Sequence, residues 1–369
     1  MKIAILTLPL HTNYGCILQC YALQTILECM GHEVSVLNTD FVNVDYKTRV
    51  GLFIRRLIKT ALRKESRFYG WKTEREVTHQ NVQPFIDKYI HNRNIKDLSL
   101  LNENEFDAIV VGSDQIWRPL YYQPIENAYL KFAKDWSHIK RVAYAASFGT
   151  DKWEYTPQET KECASLLNLF DAVSVREISG VDLCRIHFGR EATWVLDPTL
   201  LLEKDDYLKL IDCSGVKKQN GGLFYYILDV TPEKMNLINR LADERGWESY
   251  KANNSDVDCL SLHFEKRIQL SIEQWIAGFR DASFVVTDSF HGCVFSILFN
   301  KPFVVIANAQ RGIARLKSLL SMFGLENRLV NLSEVDNLSQ LQKIEWDRVN
   351  AILDKNRQVS LFYLEKALA

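Results

Sequence analysis

Phe284-Val285-Val286-Thr287-Asp288-Ser289-Phe290-His291-Gly292-Cys293-Val294-Phe295-Ser296 is the stretch whose reading decides the fold. It opens on a short apolar, β-branched run, the pattern of a buried strand. The run stops at Asp288-Ser289, and a helix-like apolar stretch follows from Cys293. The pattern predicts strand, tight loop and helix, with His291-Gly292 in the loop. In an open α/β sheet such loops lie at the carboxyl ends of the strands, where ligands bind. A histidine there can move protons near neutral pH. It can equally cap the helix or bond to backbone, and the other strand ends must decide.

The same unit recurs along the chain. Residues 3–8 read as a first strand, 16–30 as a helix stopped by Gly31, and 33–37 as a second strand. The loop between the first strand and helix has one glycine, so a dinucleotide-binding G-x-G-x-x-G is absent. Asn13, Tyr14 and Gly15 can present polar groups and N–H to a ligand there, or simply make a turn. Residues 65–105 read as polar and helix-compatible. Residues 106–117 form a buried strand running into a polar loop, where Asp114 is a candidate acid/base or a helix cap. Strands at 141–147 and 172–175 follow, the second ending on Arg176-Glu177. Arg176 suits a bidentate grip on carboxylate or phosphate, or an ion pair with a neighbour. Trp194-Val195-Leu196 ends on Asp197-Pro198-Thr199, where the chain leaves the first sheet.

A charged region around 203–221 with Gly215, Gly221 and Gly222 resembles a domain junction. Beyond it come a strand at 223–228, a helix at 232–245 opened by Thr231 and Pro232, a short strand at 249–251 and a helix at 271–280. The opening strand and its helix follow, then a strand at 302–306 and a helix reaching Phe323. Arg311 and Arg315 stand one helical turn apart, able to grip one anion or to form a solvated face. The tail from 338 to 369 reads as helix. Alternating strands and helices predict parallel sheets, in two Rossmann-like domains at 1–203 and 204–340, with a helix at 341–369 packing back on the first. Two such sheets form a cleft between their carboxyl edges. Asp114, Arg176, His291 and Arg311 all fall at strand ends facing it, and together they outweigh any one of them alone.

With 369 residues the chain exceeds one ordinary core. A composition of 47% hydrophobic and 25% charged residues is that of a globular protein, and a net charge of −1 gives no reason to expect nucleic acid. Eight cysteines lack zinc spacing and read as reduced, mostly buried thiols. No run approaches the roughly 20 apolar residues that span a bilayer, and the N-terminus reads as a strand, so a cytoplasmic protein is expected. One stretch qualifies this. From Val50 to Lys64 the apolar residues Val50, Phe53, Ile54, Leu57, Ile58 and Ala61 share one helical stripe, with Arg55, Arg56, Lys59 and Arg63 opposite. Such a helix suits peripheral contact with an anionic membrane surface, or packs as a surface helix with a solvated basic face; the pattern leaves both open.

Asn13-Tyr14-Gly15, Val111-Gly112-Ser113-Asp114-Gln115-Ile116-Trp117, Tyr144-Ala145-Ala146-Ser147-Phe148-Gly149, Ser174-Val175-Arg176-Glu177, Leu196-Asp197-Pro198-Thr199 and Asp288-Ser289-Phe290-His291-Gly292 occur in an order that resembles the polysaccharide pyruvyl transferase family. The resemblance runs from about residue 3 to 330. It implies a GT-B-like pair of domains and transfer of the pyruvyl group of phosphoenolpyruvate onto two sugar hydroxyls as a cyclic ketal. His291 is similar to the family's catalytic histidine, and Asp114 and Arg176 match positions lining the phosphoenolpyruvate site. The matched motifs add Ser113, Ser147 and Ser289 to the substrate-binding candidates. Some members carry arginine where Ser289 stands; Arg311 or Arg315 could supply that charge. No cofactor beyond the donor substrate and no metal are called for. The expected acceptor is a sugar of a polysaccharide or of its lipid-linked precursor, and the basic stripe would suit an enzyme meeting it at the inner membrane face. A GT-B glycosyltransferase using a nucleotide sugar, or a catalytically idle carbohydrate-binding relative, would share the same architecture.

Overall fold

A computed structural model describes residues 1–39, 71–257, 262–308, 312–332 and 342–369. Arg311 and the basic stripe from Val50 to Lys64 lie outside the described residues. The first half runs β1 (Lys2–Leu6), α1 (Tyr14–Cys29), β2 (Glu33–Thr39), α2 (Trp71–His79), α3 (Gln83–Tyr89), β3 (Asn92–Ile95), β4 (Ala108–Val111), β5 (Lys140–Ala146), α4 (Pro157–Leu167), β6 (Ala172–Val175), α5 (Ile178–Leu183) and β7 (Thr193–Trp194). These strands form one parallel sheet in the order β3-β2-β1-β4-β5-β6-β7. The second half runs α6 (Lys204–Asp212), β8 (Leu223–Tyr226), α7 (Pro232–Asp243), β9 (Ser249–Tyr250), α8 (Ile272–Asp281), β10 (Phe284–Thr287), α9 (Phe290–Leu298), β11 (Phe303–Ile306), α10 (Ile313–Phe323), β12 (Leu329–Val330) and α11 (Trp346–Leu368). Its parallel sheet has the order β12-β11-β10-β8-β9.

Sheets covered by helices on both faces need strands that are apolar throughout. The runs Ala-Ile-Val-Val in β4 and Phe-Val-Val-Thr in β10 are buried at every position. Two departures from the sequence reading have local causes. β3, Asn-Arg-Asn-Ile, falls in the stretch read as polar and helical; it is a half-exposed edge strand held by backbone pairing with β2, which polar side chains do not oppose. The helix after β10 starts at Phe290 and not Cys293, because the Ser289 hydroxyl accepts the Gly292 N–H and caps it. His291 therefore sits in the first helical turn and not in a loop.

Strand order fixes where the site must be. In the first sheet the chain reverses direction of travel between β1 and β4, so the loops after those strands part and leave a crevice. In the second sheet the reversal lies between β8 and β10. Ligands bind at such switch points. One apolar cluster runs between the two sheets, from Ile3, Tyr14 and Ile17 to Phe224, Trp275 and Phe295, and holds the switch points opposite each other. Helix α11 returns to the first sheet. Ser360 accepts the Leu196 N–H at 3.0 Å, the Tyr363 hydroxyl donates to the Ala143 carbonyl, and Arg357 Nε donates to the Leu200 carbonyl. Among the described residues no helix is long and apolar enough to cross a membrane, and no three His, Cys, Asp or Glu side chains form a metal-holding group.

Candidate active site

Asp197 is the hub of the polar structure. It follows β7 and caps the turn Pro198–Leu200, with Oδ1 accepting the Thr199 N–H and hydroxyl at 3.0 and 2.6 Å. Its other oxygen accepts Arg176 Nη1 at 2.7 Å and the Ser113 hydroxyl at 3.4 Å. His291 Nε2 lies 3.6 Å from that same oxygen, an ion-pair distance outside hydrogen-bond range. Burial alone would raise the Asp197 carboxyl; His291, Arg176 and Thr199 overcome it and hold the group well below the usual carboxylate range. The result is a fixed negative counter-charge beside the imidazole.

A group whose folded pKa is depressed adds stability that is present above its unfolded value of about 3.9 and lost as pH falls. Urea midpoints should thus decline as pH drops below about 4, more steeply in the native chain than in Asp197→Asn; equal slopes would contradict this reading.

Asp114 reaches the hub from the opposite side. Its backbone has φ 48°, a left-handed turn that aspartate tolerates better than most residues. The carboxylate accepts Arg176 Nη2 at 3.2 Å. Arg176, buried between Asp114 and Asp197, grips the protein's own carboxylates; of the two sequence readings, the ion pair with neighbours is the contact present. Its guanidinium also covers one side of Phe290, with its central carbon 4.5 Å from the ring centroid, and Arg315 lies 5.5 Å from the same ring. Burial and the nearby Arg176 lower Arg315 to about 10, so it is charged at neutral pH. Arg315, unlike Arg176, lines the cleft.

That cleft encloses about 120 Å³ between Asn13, Asp114, Gln115 and Tyr121 on one wall and Leu228, Asp288, Ser289, His291, Asn308, Gly312 and Arg315 on the other. A larger cavity of about 450 Å³, lined by Val216, Tyr250 and Ala277, lies apart and holds none of Asp114, Arg176, His291 and Arg315.

The remaining sequence candidates divide cleanly. Asn13 lines the cleft and caps α1, accepting the Cys16 N–H. Tyr14 is wholly buried, stacks on Trp275 and brings its hydroxyl to the Ala252 and Leu270 carbonyls at 3.1 and 2.9 Å; it ties the two halves together and does not line the cleft. Ser147 donates to Glu177, which also accepts the Phe148 and Gly149 N–H, so this serine shapes the loop after β5. Ser113 turns its hydroxyl to Asp197 and receives the Asp114 N–H. Gly15 has the sharpest role: a Cβ there would overlap the His291 ring at Nδ1. Only glycine lets α1 approach the imidazole so closely. Gly15→Ala should displace the ring and destabilise the chain by about 1–3 kcal/mol, the usual cost of overpacking a buried contact; an unchanged urea midpoint would refute the contact's role.

The family model for polysaccharide pyruvyl transferase matches residues 13–310. The chain belongs to that family. Curated protein sequences give no significant match. Among solved structures, this family member is similar to Arabidopsis thaliana UGT89C1 complexed with UDP-L-rhamnose, at 10% identity and a TM-score of 0.52, over 98% of this chain and 97% of that one. It is also similar to UDP-GlcNAc 2-epimerase from Neisseria meningitidis bound to UDP-GlcNAc, at 9% identity and a TM-score of 0.50, over 99% and 100% of the two chains. These likenesses establish the GT-B fold.

Within this pyruvyl transferase family member, sequence reasoning overlooked Asp197 although it quoted the motif around it. The signal was present: an acid directly after a strand, the same cue that marked Asp114. Glu177 stands in the sequence reading only beside Arg176 at a strand end, and Asp288 only at the end of β10.

Proposed function

We propose that the protein transfers the pyruvyl group of phosphoenolpyruvate onto two hydroxyls of a sugar, in a polysaccharide or its lipid-linked precursor, forming a cyclic ketal and releasing phosphate. The observation that carries the reading is the meeting of His291 and Arg315 from one wall with Asp114 from the other in a cleft sized for a small anion. Phosphoenolpyruvate brings a phosphate and a carboxylate, and Arg315 with protonated His291 supplies matching positive charge.

The chemistry distributes over these groups in two steps. His291 gives its proton to the methylene carbon while a sugar hydroxyl attacks the adjacent carbon and passes its own proton to Asp114. The carbon–oxygen bond to phosphate then breaks with its electron pair, and the second hydroxyl closes the ring, its proton leaving on phosphate. Asp197 stabilises the imidazolium before transfer, as a buried carboxylate does beside a catalytic histidine. Arg176 helps keep Asp197 ionised and holds the Asp114 carboxylate in position. Association with the inner face of a membrane through Val50 to Lys64 belongs to this proposal and is checked by sedimentation with anionic liposomes; equal pelleting after charge reversal of Arg55, Arg56 and Lys59 removes it.

The decisive experiment incubates the protein with phosphoenolpyruvate and free or lipid-linked galactosides. The expected result is an acceptor heavier by one pyruvyl group with equimolar phosphate released. Absence of phosphoenolpyruvate binding by calorimetry would defeat the proposal.

A further inference from the structure

The end of β10 holds a second charged assembly that the proposed chemistry does not use. Asp288 is almost wholly buried, yet its side chain borders the cleft together with Leu228 and Asn308. Four N–H donors converge on its carboxylate. Leu228 N donates to Oδ1 at 2.7 Å, and Asp229 N to Oδ2 at 3.2 Å. Lys234 Nζ donates to Oδ2 at 2.7 Å, and Asn308 Nδ2 approaches it at 3.4 Å. Lys234 is itself 5% exposed and also donates to the Asp229 carbonyl, so its ammonium is committed to this spot.

Consecutive backbone amides after a strand, joined by a lysine ammonium from the following helix, make the donor set that cradles phosphate groups. Here the cradle follows β8 at the switch point of the second sheet, and two of its members, Leu228 and Asn308, line the cleft. The occupant is a carboxylate from the neighbouring strand end. It cannot readily swing away: the Thr287 hydroxyl accepts the Ser289 N–H at 3.1 Å and donates to the Tyr226 carbonyl at 2.7 Å, pinning the backbone on both sides of Asp288.

We propose that Asp288 is a specificity-determining residue, an internal anion that fills a diphosphate cradle and so excludes nucleotide-diphosphate donors from the cleft. With the cradle filled, the space left beside His291 and Arg315 suits a donor with one phosphate. The inference deepens the proposed function and rests on it for the identity of the accepted donor; exclusion itself is read by binding, without turnover, so either can fail while the other stands.

The test titrates inorganic pyrophosphate and UDP into the native chain, Asp288→Ala, Asp288→Asn and the double variant D288A/K234A, with thermal melts in parallel. The native chain should give no binding heat at millimolar ligand. Asp288→Ala, which leaves the Lys234 ammonium and the two amides without their carboxylate, should bind pyrophosphate at least about tenfold more tightly than the native chain. Adding Lys234→Ala should remove that gain. Should Asp288→Ala not melt cooperatively, Asp288→Ser carries the same comparison in its place, because it removes the charge and shortens the side chain while keeping one hydrogen-bonding group; Asp288→Asn, which keeps the volume, separates charge from filling and is not expected to gain as much. Native binding equal to that of the variants, a folded Asp288→Ala or Asp288→Ser with no gain, or a gain that survives loss of Lys234 would each overturn the proposal.

Discussion

Under the proposed function, replacing His291 by alanine is expected to lower pyruvyl transfer by about 10²–10⁴-fold, the range a positioned acid–base group contributes. The loss should fall on kcat, with phosphoenolpyruvate affinity reduced less, because Arg315 remains on the same wall to hold the anion. Stability should fall by less than in Arg176→Leu: the ring makes no hydrogen bond through Nε2, but Asp197 loses one of its two neighbouring positive groups. Steady-state kinetics on phosphate release, paired with a thermal melt, makes the measurement. Turnover near that of the native chain would remove His291 from the mechanism.

The second large effect is on folding. Arg176→Leu leaves Asp114 and Asp197 buried beside one another without their shared cation. Removing one partner of a buried ion pair typically costs about 3–5 kcal/mol, and here two carboxylates lose the same partner. Urea unfolding at neutral pH should show a loss in that range, along with lost activity. Arg176→Lys should recover part of the stability but little activity, since an ammonium cannot reach both carboxylates in the fork geometry of a guanidinium. A loss below about 1 kcal/mol would mean the cluster relaxes or admits water, and the hub described above would not hold.

The fold was legible where side chains alone decide it. Buried parallel strands are almost continuously apolar, so β4, β6, β10 and β11 announce themselves, and helices with Thr231 or Ser271 at their starts are marked by chemistry within a few residues. β3 was not legible, because an edge strand is held by backbone groups that every residue has. The site was legible as a set of strand ends and illegible as a set of pairs. Asp114, Arg176, His291 and Arg315 were named from position, but which cation meets which anion depends on strand order. Arg176, after β6, meets Asp197 after its neighbour β7 and Asp114 after β4 because β4, β5, β6 and β7 lie in that order in the sheet. Tyr14 shows the same limit: its hydroxyl goes to carbonyls 238 and 256 residues away, so nothing near it in sequence hints that it fastens the two halves.

The return of α11 to the first sheet bears on how the chain is made. A ribosome releases the first sheet long before Arg357, Ser360 and Tyr363 are synthesised, yet these residues complete hydrogen bonds to Leu200, Leu196 and Ala143 beside Asp197. Until then the first half carries an uncovered apolar face and unpaired backbone groups, which favours waiting over early commitment. Folding vectorially, domain by domain, is thereby disfavoured for this chain. Nascent chains stalled before residue 346 should be cleaved by protease in the first half as well as the second. Resistance of that half at such a length would show that it matures without its final strap.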